Sequence, residues 1–90
     1  MEYQMIKAIA SFNERGEVQP LYFKLRHNDR DLTFKVVKSR EVKTDSYTVD
    51  CRQFYDIIAQ TEDFEIRLEI IFVRASSAWQ LDKSQLSGVK

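Results

Sequence analysis

Phe64-Glu65-Ile66-Arg67-Leu68-Glu69-Ile70-Ile71-Phe72-Val73 is the stretch that decides the fold class. Phe64, Ile66, Leu68, Ile70 and Phe72 recur at every second position, with Glu65, Arg67 and Glu69 between them. A period of two marks a strand, because successive side chains point to opposite faces. At Ile71 and Val73 the charged face turns apolar. The later half is therefore expected to be covered on both sides, as in a central or barrel strand.

The same period extends outward in both directions. Upstream, Ile6, Ala8, Ala10 and Phe12 alternate with Lys7, Ile9 and Ser11 in a first strand. Asn13-Glu14-Arg15-Gly16 reads as a turn, with Gly16 placed for positive φ. Val18 to Arg26 is a second strand: Leu21, Phe23 and Leu25 share one face, and Tyr22, Lys24 and Arg26 the other. Pro20 lacks an N–H, which predicts an edge or a bulge there. Asn28-Asp29-Arg30-Asp31 is the next turn, Leu32 to Val42 a third strand, and Lys43-Thr44-Asp45-Ser46 a further turn. Tyr47, Val49 and Cys51 then alternate with Thr48, Asp50 and Arg52. Cys51, Phe54, Tyr55 and Ile58 also fall at helical spacing, with Asp50 as a candidate cap. We read a fourth strand to about Phe54, then an irregular or one-turn helical link. Downstream, Ala75-Ser76-Ser77 turns and Ala78-Trp79-Gln80-Leu81 forms a short last strand.

The expected fold is all-β, or β with one short helical turn. About six short antiparallel strands form a strongly bent sheet or a partly open small barrel. One domain covers 1–81, and 82–90, which has no period, is expected as a flexible C-terminal tail. A chain of 90 residues supports a single domain. It buries only about 60–65% of its unfolded surface, so association with a partner would supplement a thin core.

The pieces Phe12-Asn13-Glu14-Arg15-Gly16, Pro20-Leu21-Tyr22-Phe23 and Trp79 lie in a layout similar to that of short uncharacterised all-β proteins of Gram-positive bacteria. The resemblance runs from Ile6 to Leu81 and rests on turn and core residues. It implies a small all-β fold and a bacterial cytoplasmic setting. That group carries no assigned function.

Composition narrows the chemistry. A lone Cys51 makes no internal disulfide, which points to a reducing, cytoplasmic compartment. His27 and Cys51 are too few for a four-ligand zinc site, and no acidic cluster has the spacing of a calcium loop. Neither a metal nor a cofactor is expected. The longest apolar run, Ile70–Val73, is far too short to span a membrane, so no membrane partner is expected. His27 beside Asn28 and Asp29 reads as a solvated turn residue, Cys51 as an inert thiol, and Glu62-Asp63-Phe64-Glu65 as a solvated turn and strand start. No nucleophile motif surrounds them and no small-molecule substrate is implied, so an enzyme is not expected.

Charge carries more information. The 14 basic and 14 acidic residues cancel overall but are segregated. Residues 24–43 carry a net +4 and residues 50–69 a net −4. Such polarity favours docking of a charged partner or of a second copy, and free strand edges accept a further strand. Tyr22, Tyr47, Tyr55 and Trp79 are residue types favoured at interfaces, although Trp79 reads first as core. The leading expectation is a non-catalytic module for protein–protein interaction or self-association into a homodimer. The alternative is weak nucleic-acid binding by Tyr22, Lys24, Arg26 and Lys35, a basic face with an aromatic on the second and third strands. Zero net charge opposes that alternative.

Overall fold

The computed structural model describes residues 2–45 and 49–88; Tyr47, singled out above, lies outside them. The strands are β1 (Tyr3–Phe12), β2 (Val18–His27), β3 (Arg30–Asp45), β4 (Arg52–Gln60), β5 (Glu65–Val73) and β6 (Ala78–Asp82), and a 3-10 helix spans Lys83–Gly88. All pairings are antiparallel in chain order, and β6 returns to β1, so the sheet closes into a small barrel. The expected all-β architecture of six antiparallel strands is what forms. No helix of the described residues is long and apolar enough to cross a membrane.

Two turns follow directly from residue type. In the β1–β2 turn Gly16 has φ 79°, and the Asn13 side-chain oxygen accepts from the N–H groups of Arg15 and Glu17. In the β2–β3 turn His27 pairs with Arg30, and the two residues between, Asn28 and Asp29, both have positive φ. That is the mirror-image turn whose twist suits a hairpin, and Asn and Asp tolerate it better than most residues. The expected bulge at Pro20 is present. Ile9 pairs with Tyr22 and Ala10 with Pro20, leaving Leu21 as the extra residue.

The interior is filled with side chains. Phe23 stacks on Phe34 at 5.0 Å, and Phe64 meets Phe34 edge-on. Toward the other end Trp79 packs between Tyr55 and Phe72, and Phe12 meets Phe72 edge-on. Trp79 therefore belongs to the core, at 5% exposure. Ala8, Ala10 and Ala59 line the wall where the narrow barrel leaves room only for small residues. Ile71 and Phe72 are both buried, so the late half of β5 is covered on both faces, as its composition implied.

Three expectations are corrected. The stretch 52–60 is strand throughout, not a helical link, because Gln53, Tyr55, Ile57 and Ala59 face the core while Phe54 is buried on the outer face beneath Lys43. Covering both faces blurs the period of two and lets a helical spacing appear. Lys43–Asp45 extend β3 rather than turning, held by the pairs Lys43–Phe54, Thr44–Gln53 and Asp45–Arg52; Cys51 sits at positive φ just before β4. Finally, the expected tail from 82 onward carries structure through Gly88. Asp82 ends β6, Leu86 packs on the core, and the Gln85 side-chain amide accepts from Glu69 N–H at 2.7 Å and donates to Glu69 C=O at 2.8 Å. That amide acts as a surrogate peptide group beyond the end of short β6.

Two substitutions test this packing by urea unfolding. Phe34→Ala is expected to remove about 3–5 kcal/mol, enough to unfold most of a domain this small. Gly16→Ala is expected to cost only about 1 kcal/mol. A Cβ there meets no neighbouring atom within 4 Å, so the positive φ is the whole penalty.

Candidate binding site at an open seam of the barrel

β3 is the longest strand, and its two neighbours share it unequally. Arg30–Lys35 pair with β2, and Lys35–Asp45 pair with β4. Beyond Lys35 the β2 side of β3 has no strand partner among the described residues, and the β3 side of Val18–Leu21 has none either. This is the longest one-sided run in the barrel. Shorter ones lie on β3 before Lys35, on Lys7–Phe12 of β1 and on β5, the last partly filled by Gln85.

The divergence has a local cause. β3 carries two extra residues, Val37 between the pairs Val36–Ala59 and Lys38–Ile58, and Val42 between Glu41–Tyr55 and Lys43–Phe54. Each bulge bends and twists the strand that holds it. Leu21 does the same to β2 on the opposite side. Both bulged valines are more than 40% exposed, so neither is held by the core.

The gap opens into a cavity of about 420 Å³ at the mouth of the barrel. The β1–β2 hairpin forms one wall, through Ser11, Asn13, Arg15 and Glu17, and Ser39, Glu41, Gln53, Tyr55 and Arg74 form the other. A second cavity, of about 550 Å³, runs along the outer rim of the gap past Gln19, Lys38, Ser39, Arg40 and Arg67.

A chain of polar contacts ties the mouth together. Gln53, buried at 9% exposure, donates from Nε2 to Glu41 Oε2 at 2.7 Å and accepts at Oε1 from Arg74 Nε at 2.8 Å. Arg74 also donates from a terminal nitrogen to Gly16 C=O at 2.8 Å. Thr44 donates to the same Glu41 oxygen, and Asn13 Nδ2 donates to Glu17. Both mouth carboxylates are thus engaged, and the hairpin is fastened to the β4–β5 end across the opening. Burial first, and then Glu41, push the Tyr55 phenol above its ordinary 10.0; Arg74 pulls it down and Glu17 adds to the rise.

The four residues expected to bind nucleic acid do share one outer face. Tyr22 pairs with Lys35, and Lys24 and Arg26 follow at alternate positions of β2, all exposed. Lys7 extends the face by pairing with Lys24, and Ile9 by pairing with Tyr22. Tyr22 and Lys35 line a groove that also contains Asp31, Glu62 and Asp63, while Tyr22, Lys24, Lys7 and Ile9 line a second one without a carboxylate; Arg26 is bound to Asp31 at 3.3 Å. His27 and Cys51 lie at opposite ends of β3, next to Arg30 and to Arg52 respectively. Among the described residues, no cluster of His, Cys, Asp and Glu is arranged to hold a metal ion.

Ser39, Gln53 and Arg74 have no place among the sequence expectations, and Lys38, Arg40 and Glu41 enter them only within the net-basic run 24–43. One signal was present: Ser39, Glu41 and Gln53 are polar residues at inward positions of adjoining strands, where core residues are the rule.

Tyr55 gives the mouth a pH signature. The unfolded phenol ionises near 10, whereas the folded one holds its proton to higher pH. Stability is therefore complete below about pH 10 and falls as pH rises from there through the folded value. Urea midpoints measured from about pH 8 to 11 are expected to decline for the native chain and to decline less for Tyr55→Phe. This chain matches no protein-family model, and no similar curated protein or solved structure was found.

Proposed function

We propose that this chain is a non-catalytic interaction module that receives an extended segment of a protein partner in the seam between β2 and β3. The observation that carries the reading is the run Val36–Thr44, paired with β4 and, among the described residues, not with β2. Backbone N–H and C=O groups on an open strand side are strong directional donors and acceptors, and an added strand satisfies them in register. The adjoining cavities supply room for side chains on both faces of such a strand.

Other readings draw less support. The other one-sided runs, on β1, β5 and the start of β3, are shorter. The Tyr22 face has the aromatic and the cations that a single-stranded nucleic acid uses, but the carboxylates of Asp31, Glu62 and Asp63 repel phosphate from the same groove. Catalysis by His27 with Cys51 would need two groups that β3 holds apart.

Residue-resolved hydrogen exchange tests the reading. In the free protein, amides of Val36–Thr44 directed at the seam are expected to exchange fast, while their β4-facing neighbours are protected. Adding an extended Thr/Val-rich peptide is expected to protect the fast set and to shift the amide resonances of Val18–Leu21. A single-stranded oligonucleotide that shifts Tyr22, Lys24, Arg26 and Lys35 with steep salt dependence, while peptides shift nothing, would replace this function with nucleic-acid binding.

A further inference from the structure

We infer that the segment accepted by the seam is acidic, with carboxylates at alternate positions. The inference rests on the seam reading above and adds the chemistry of the occupant.

Register sets which side chains an incoming strand meets. Ser39 and Glu41 line the mouth cavity, and Lys38 and Arg40 line the outer one. Lys38 pairs with Ile58, which in turn pairs with Arg67, so that row carries two cations and no acid. The Arg40 row carries two acids, since Arg40 pairs with Asp56 and Asp56 with Glu69, and Asp56 also lines the outer cavity; the Arg40–Asp56 contact is 3.9 Å and the two side chains are 76% and 37% exposed. An ion pair that long and that wet holds little energy and is easily exchanged for a better one. Lys43 continues the cationic row toward one end, whereas Lys35 at the other shares its groove with Asp31, Glu62 and Asp63. On the inner side Glu41 is already engaged by Gln53 and Thr44, so its charge is partly answered within the mouth.

A strand laid against β3 repeats every two residues, as Lys38 and Arg40 do. Carboxylates at positions i and i+2 of the occupant then face both cations. The residues between them point at Ser39, Glu41 and the Tyr55 side, where a small hydroxyl side chain can donate to Glu41.

A second copy of this chain fits worse. Two β3 edges paired antiparallel would bring the Lys35, Lys38, Arg40 and Lys43 rows of both copies together. Like charges opposite one another destabilise a strand pair.

The test uses the full chain and defined peptides of about eight residues, an ordinary strand length. The probes are alternating Glu-Thr, Gln-Thr and Lys-Thr peptides and an oligothymidylate. Titrations are followed by calorimetry and by amide shifts of residues 18–21 and 36–44. Glu-Thr is expected to bind at those amides, more weakly as salt rises, and about tenfold or more tighter than Gln-Thr. Lys38→Glu/Arg40→Glu changes exposed positions, so its fold is checked by the unchanged amide spectrum elsewhere. It is expected to lose Glu-Thr by a similar factor and to gain Lys-Thr. Equal binding of Gln-Thr and Glu-Thr at the seam, or no effect of the double variant, overturns the acidic preference while leaving the seam as a peptide site. If no peptide shifts those amides, both proposals fall. Oligothymidylate displacing Glu-Thr from the same amides overturns a protein partner in favour of nucleic acid. Sedimentation is expected to show a monomer, and a dimer that protects the β3 amides would make a second copy the occupant.

Discussion

A strand can be hydrogen-bonded on two sides only as far as both neighbours reach, and in this barrel β3 outruns β2. The rest of the molecule is arranged around that mismatch. Among the described pairings Lys35 is where the two ladders of β3 overlap, paired to Tyr22 and to Gln60. Before it β3 pairs with β2 alone, and there the interior holds the Phe23–Phe34 stack. Past it, β3 follows β4 alone, and the bulges at Val37 and Val42 let it keep register while bending away. Pro20 suits the facing end of β2, since a residue with no N–H is least costly where ladder partners are already missing.

An opening in so small a barrel exposes the core to water unless something polar closes it. The Glu41–Gln53–Arg74 chain does this, ending on the Gly16 carbonyl of the hairpin opposite. Its members come from β3, from β4, from the residue after β5 and from the β1–β2 turn, so it spans the mouth rather than reinforcing one hairpin. The buried amide of Gln53 is satisfied at both its nitrogen and its oxygen, as burial demands. Tyr55, which lines the cavity, and Trp79 lie just below, and burial together with Glu41 raises the Tyr55 phenol above its ordinary value.

What could be read from the sequence was whatever is written in local periodicity and turn chemistry. β5 announces itself because one face is charged over Glu65, Arg67 and Glu69. Gly16 and Pro20 mark features that a single residue type dictates. β4 was partly misread because Phe54 is buried on the outer face as well as Tyr55 on the inner, which removes the polar alternation that identifies a strand. The order at residues 82–88 was invisible for another reason: it depends on one amide, Gln85, meeting Glu69 across the barrel, and no pattern encodes a contact sixteen positions away. Tyr22, Lys24, Arg26 and Lys35 could be placed on a common outer face because alternation assigns faces. The carboxylates of Glu62 and Asp63 beside them could not, since they arrive from a different turn. The seam was hidden most deeply. It arises from unequal pairing lengths and from bulges at valines, which look like ordinary strand residues.

The cations along β3 have an ordinary explanation, and it bears on partner choice rather than competing with it. Lysine on an unpaired strand side is a common means of preventing edge-to-edge association, because two such edges repel. Protection by charge, unlike protection by proline or by a covering loop, is selective. It raises the energy of every neutral or basic strand that approaches, this chain's own β3 included, and lowers that of an acidic one. Much of the balancing negative charge sits on β4, β5 and the turn after β4, although Glu41, Glu17 and Asp56 lie beside the seam. A barrel that had only to stay monomeric could have lengthened β2 to cover the edge. On the proposed reading, an edge left basic beside two cavities keeps its backbone groups accessible to one class of strand.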